Sequence, residues 1–190
     1  LALHQPVPWL LTLAFAAYAL QFFAVVIWLP TFLQEQRALS PGIIALLSAL
    51  VIAVNVPGNL AGGALLHHHV NRGHLIAAAS LVMGLAGLGI FSEGMPDALR
   101  YACCLVLTGV GGMIPVAVLS SSVVLAPTPQ QIGTLQGLYL QGSNLGQFAG
   151  IPLIAGIVAA SGQWQSALVV TASASAVGIV LGLLVARSGK

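Results

Sequence analysis

The chain has 190 residues, of which 58% are hydrophobic and only 4% charged, and its net charge is +2. An ordinary globular chain carries about 25% charged residues, so this composition excludes a water-soluble fold. The small net charge, with no basic stripe or base-stacking aromatic platform, excludes a nucleic-acid binder.

From Tyr101 to Ala186 there is no Asp, Glu, Lys, Arg or His. That stretch holds three apolar runs, each long enough to cross a hydrocarbon core of roughly 30 Å. The expected fold is all-α, integral to the membrane, with six transmembrane helices in one bundle over 1–190. Spanning β-strands are disfavoured, because the runs are long, continuous and rich in Ala, Leu and Gly rather than alternating. The chain begins with Leu1 and shows no basic leader or cleavage site, which reads as a piece of a longer protein.

The first predicted helix covers 8–33, with Pro6 and Pro8 at its entry. Tyr18, Gln21, Val25 and Trp28 follow a 3-4-3 spacing on one face. The second covers 41–66 after Ser40-Pro41, an N-cap followed by a first-turn proline. Within it Asn55 and Asn59 bracket Pro57-Gly58, an expected kink. The third covers 75–91 and offers only Ser80 as a polar side chain. The fourth covers 99–125, with Thr108, Gly111-Gly112, Pro115 and Ser120-Ser121-Ser122. The fifth covers 131–160, where Gln141, Asn144 and Gln147 recur every third residue and share a broad face. The sixth covers 165–186 and carries small hydroxyls, Thr171, Ser173 and Ser175, expected to bond back to their own backbone.

An amide in a membrane is costly unless it meets a partner or water. Helices one, two, four and five are therefore expected to face protein or a wet cavity, and helices three and six to face lipid. Tyr18, Gln21, Trp28, Asn55, Asn59, Gln141, Asn144 and Gln147 are the candidate cavity-lining residues. Glycine- or proline-interrupted helices often carry transporter sites, although the same residues also serve close packing and interhelical hydrogen bonding.

With six spans, both termini lie on one side. That side receives Arg72, Arg187, Lys190 and the loop histidines; the other receives Arg37 and Arg100 with Glu35, Glu93 and Asp97. The excess of Lys and Arg places the termini in the cytoplasm.

These segments resemble the C-terminal half of a major facilitator superfamily transporter over essentially the whole chain. Gly62-Gly63-Ala64-Leu65-Leu66 and the loop to Arg72-Gly73-His74 resemble the family's cytoplasmic connection between the second and third helices of a half. Here His67, His68 and His69 stand where the usual acidic residue and paired arginines are absent. The Gly- and Pro-rich run from Gln141 to Pro152 resembles the family's eleventh helix, and Gly162-Gln163-Trp164 its last external turn. The stretch from Gln21 to Pro30 and the Asn144 segment resemble cyanate-permease-like bacterial carriers.

The resemblance implies half of a twelve-helix secondary carrier in a bacterial inner membrane, moving a small solute by alternating access. Its partners would be the bilayer, an N-terminal six-helix half or a second copy, and the solute. The competing reading is an autonomous six-helix scaffold or homodimer, built through the small residues Gly142, Gly146 and Gly150.

No cofactor or metal is implied. Three consecutive histidines point in different directions, and the loop reads as a surface anchor rather than a ligand set. Cys103 and Cys104 are adjacent and read as small apolar packers. An intramembrane enzyme is excluded, because the chain lacks a His–Ser pairing within the spans, a second Asp and any H-E-x-x-H motif.

Overall fold

The computed structural model describes residues 5–37, 39–92 and 94–188, without the side chains of Glu35 and Gln36. Leu1, Glu93, Lys190 and the side chain of Glu35, used in the readings above, lie outside what is described. Among the described residues, helices long and apolar enough to cross a membrane form six spans.

The first span is one helix, α1 (Pro6–Arg37). The second is divided into α2 (Pro41–Ala53) and α3 (Asn55–His67). The third is α4 (Arg72–Ile90), capped by the Asn71 side chain, which accepts from the amides of Gly73 and His74. The fourth comprises α5 (Asp97–Gly111), α6 (Met113–Leu119) and α7 (Ser121–Leu125). The fifth is α8 (Gln130–Ser161). A 3-10 turn at Trp164–Ser166 leads into the sixth, α9 (Ala167–Ser188).

The interruptions have local causes. The second span breaks at Val54, three residues before the expected kink at Pro57. Pro57 cannot donate to the Ala53 carbonyl, so the ladder lacks a rung there and the span divides in the turn before the proline. The fourth span breaks at Gly112, whose N–H is shared between the Thr108 and Gly109 carbonyls at 3.2 Å each. Pro115 cannot donate to Gly111, so the ladder lacks a rung there. The second break, at Ser120, precedes two back-bonding hydroxyls: Ser121 donates to the Val118 carbonyl at 2.5 Å and Ser122 to that of Leu119 at 2.7 Å. Gly162 ends α8 at φ 67°, a left-handed cap whose N–H bonds Val158 at 2.8 Å.

Inside a bilayer no hydrophobic force drives one helix against another, so helices associate through close packing and hydrogen bonds. Glycine supplies that closeness in three pairings. In α8, Gly142, Gly146 and Gly150 lie against Thr12, Ala16 and Leu20 of α1. Gly58 and Gly62 of α3 meet Gly109, Gly112 and Met113 across the fourth span, and Gly73 of α4 meets Gly182 and Ala186 of α9. Gly178 of α9 faces Ser80 of α4 in the same pairing.

The stripe Gly142/Gly146/Gly150 is therefore occupied by the chain itself, which removes the small-residue surface on which the homodimer reading rested. The lipid-facing assignment of the third span also needs correction. Along with α1, α4 is the most buried span, because it packs against both α9 and α5. Only one stripe of α4, including Leu81, Leu85 and Leu88, is exposed. The least buried spans are the second and the fifth.

A methyl group at Gly58 would collide with the Gly109 carbonyl. Gly58→Ala should therefore lower the thermal unfolding midpoint of the purified protein, consistent with an overpacking cost of about 1–3 kcal/mol. Gly137→Ala, where nothing lies within 4 Å, should leave the midpoint in place. Equal midpoints for the two variants would contradict the close crossing of the second and fourth spans.

Candidate functional site

The candidate residues fall into four environments. Tyr18, Asn55 and Asn59 form one hydrogen-bonded cluster. Asn55 Nδ2 donates to Tyr18 Oη at 3.1 Å and to the Thr108 carbonyl at 2.8 Å. Asn59 Nδ2 donates to the Asn55 carbonyl at 3.0 Å and to Asn55 Oδ1 at 2.9 Å. The cluster ties α1, α3 and α5 together beside the breaks at Val54 and Gly112. It forms there because Gly111 leaves room for the Tyr18 ring. Asn55 is the hub: its amide joins two other spans, and its oxygen accepts from Asn59.

Gln21 has a different role. It is 1% exposed, and its Oε1 accepts from Ser175 Oγ of α9 at 2.8 Å. Ser175 thus bonds across to α1 instead of to its own backbone, whereas Thr171 does bond back, to Leu168 at 3.2 Å. The partnership was hidden in the sequence because a lone serine on an apolar helix carries no sign of what faces it.

Trp28 lies toward the membrane face opposite the termini. Its indole N–H donates to the Ile151 carbonyl of α8 at 3.3 Å, and its ring meets Trp164 at 6.0 Å. Phe32 packs edge-on to Trp164, with the Arg37 and Arg100 guanidiniums 5.6 and 5.1 Å from its centroid. Arg37 Nη2 donates to Asp97 Oδ1 at 2.6 Å, closing the ends of α1 and α5. That hydrogen bond raises the Arg37 pKa above its usual value. Sequence reasoning missed this clamp, because its members come from three separate connections. The adjoining crevice, lined by Trp28, Phe32, Tyr101, Cys104 and Trp164, has a volume of about 70 Å³. Pockets for drug-sized ligands hold about 300 Å³ or more, so the crevice is smaller than such a site.

Gln141, Asn144 and Gln147 lie on α8, and none makes a side-chain hydrogen bond to a described residue. Gln141 and Asn144 are exposed and Gln147 half-buried. Their neighbours Leu145 and Phe148 are 66% and 79% exposed. The opposite face of the helix holds the glycines packed on α1, so the amides meet no helix among the described residues. Among the described residues, no group of three His, Cys, Asp or Glu side chains is arranged to hold a metal.

If Gln21 serves packing, Gln21→Leu should strand the buried Ser175 hydroxyl and cost about 1–2 kcal/mol of stability. The double variant Gln21→Leu/Ser175→Ala should recover most of that loss in detergent unfolding curves. Additive losses would refute the pairing.

The Major Facilitator Superfamily model matches residues 1–151. By structure, the chain is similar to the peptide transporter POT in complex with sulfate, at TM-score 0.77 and 16% identity, covering 94% of this chain and 37% of that one. A point mutant of the POT peptide transporter, also with sulfate, gives 0.76 and 16%, covering 92% and 37%. These likenesses concern the fold, and the chain spans little more than a third of the transporters' length. No curated protein matches the chain by sequence. The chain belongs to the major facilitator superfamily.

Proposed function

We propose that this member of the major facilitator superfamily forms one six-helix half of a secondary carrier, moving a small solute across a bacterial inner membrane by alternating access. The observation that carries this reading is the face of α8. Gln141 and Asn144 stand exposed there, without hydrogen-bond partners among the described residues, in a helix long and apolar enough to span. Such amides are costly in lipid and inexpensive beside water, a polar solute or a second protein unit.

The second span supports the same reading. Leu46, Val56 and Leu60 are 61%, 61% and 72% exposed, so the two least covered spans carry all of the candidate amides except Gln21. An N-terminal six-helix half, or a second copy, would cover these faces and close a cavity between the two units. The Tyr18–Asn55–Asn59 cluster would stiffen the wall, with buried Tyr18 holding Asn55 from behind and the Asn59 oxygen as the contact at its edge. A cyanate-permease-like substrate class rests on the 21–30 and Asn144 segments alone.

The site chemistry is neutral hydrogen bonding with aromatic packing. Glu35, Glu93 and Asp97, the acidic residues of the sequence, fall at or near span ends. Proton coupling would therefore draw on a titratable group of the partner half. The basic residues on the termini side support cytoplasmic termini. An autonomous scaffold is less favoured, because the stripe that would join copies is spent on α1.

Sequencing the reading frame upstream of Leu1 tests the arrangement: about 200 further residues with six apolar spans are expected. A start codon a few residues before Leu1 would leave only the two-copy form. In the complete protein, Asn144→Leu and Gln141→Leu should each reduce solute uptake at least several-fold while membrane insertion is kept. Wild-type uptake would remove both residues from the site.

A further inference from the structure

Arg72 stands at the start of the third span in an environment that its own chain does not complete. Its Nε is buried without a hydrogen-bond partner. Its Nη2 reaches only Ser120 Oγ, at the long distance of 3.4 Å. Ser120 sits at the break between α6 and α7. Beyond it Tyr139, fully buried, has its hydroxyl 3.1 Å from Ser121 Oγ, and Gln136 donates to Ser122 at 3.3 Å. The ionised groups that could neutralise Arg72 are elsewhere. The acidic side chains of the sequence stand at 35, 93 and 97, and the described one, Asp97, pairs with Arg37 at the other end of the bundle. Around Arg72, the titratable groups on the same face are His67, His68, His69, His74 and Arg187, all exposed and all neutral or cationic.

A half-buried guanidinium needs an anion, because its charge loses water without regaining an opposite charge. Among the described residues no anion is placed to supply it. We propose that Arg72 is the headgroup contact of a site for an anionic phospholipid in the leaflet on the termini side, with a phosphate oxygen on the guanidinium beside the Ser120 hydroxyl. The depth fits, since the first residue of a span lies at the headgroup level. Basic pockets between spans on this kind of face bind acidic headgroups. The donors fit as well, since guanidinium and hydroxyl are both suited to phosphate oxygens. The proposal needs only the membrane placement of the chain, so its failure would leave the carrier reading intact.

The test is a titration of the intact purified protein with phosphatidylglycerol, phosphatidylcholine or inorganic phosphate, following the thermal unfolding midpoint. Phosphatidylglycerol should raise the midpoint; phosphatidylcholine and inorganic phosphate at equal concentration should not. In Arg72→Gln the phosphatidylglycerol affinity should fall roughly five- to tenfold. Arg72→Lys should retain part of it, and Arg187→Gln on the same face should retain all of it. An undiminished response in Arg72→Gln, or an equal response to phosphatidylcholine, would overturn the assignment. A full response to inorganic phosphate alone would replace the lipid with a free anion. A loss of stability in Arg72→Gln that is the same with and without phosphatidylglycerol would give the counter-charge to a protein carboxylate and refute the lipid. Should Arg72→Gln fail to fold, the comparison of the two lipids on the wild type and Arg72→Lys decides the question.

Discussion

The architecture depends on backbone approach at glycine. Lipid is as apolar as leucine, so burying leucine between two spans gains little, and the contacts that hold this bundle are those in which one backbone touches another. Gly142, Gly146 and Gly150 let α8 lie on α1, Gly58 lets the second span cross the fourth, and Gly73 and Gly182 bring the third onto the sixth. With those three pairings made, α1 and α4 become interior elements and the second and fifth spans remain the least covered.

Polar groups are distributed around that frame in two ways. Those inside it are matched: Gln21 with Ser175, and Asn55 with Tyr18 and the Thr108 carbonyl. A matched amide in a dry interior fixes the register of its helices. Those on the outer face of α8 are unmatched among the described residues, and the helix exposes them because its glycine face is committed to α1. One helix thus carries a packing face and a polar face back to back, a division suited to an element between a scaffold and a solute path.

Charge is divided by membrane face. Acids and bases meet at the end opposite the termini, where Arg37, Asp97, Arg100 and Phe32 clamp the helix ends. The termini side carries bases alone, and Arg72 is partly buried there. The clamp is satisfied within the chain, whereas Arg72 is not, which is why the two ends of the bundle offer different chemistry to their surroundings.

Much of this was legible in the sequence. The absence of charge from Tyr101 to Ala186 and the length of the apolar runs determined a helical membrane protein with six spans, because the bilayer imposes length and backbone satisfaction on any sequence. The spacing of Tyr18 and Asn55 along their helices marked them as polar positions needing partners, and the amides of α8 were visible as a set. The sequence did not reveal which partner each would find. Gln21 and Asn144 are both amides in apolar helices, yet one is sealed against α9 and the other stands open. A glycine stripe suited to a second copy was taken up by α1. These outcomes were decided only by the tertiary structure, because a side chain's type states what it needs, whereas the rotation and crossing of the helices determine what it meets.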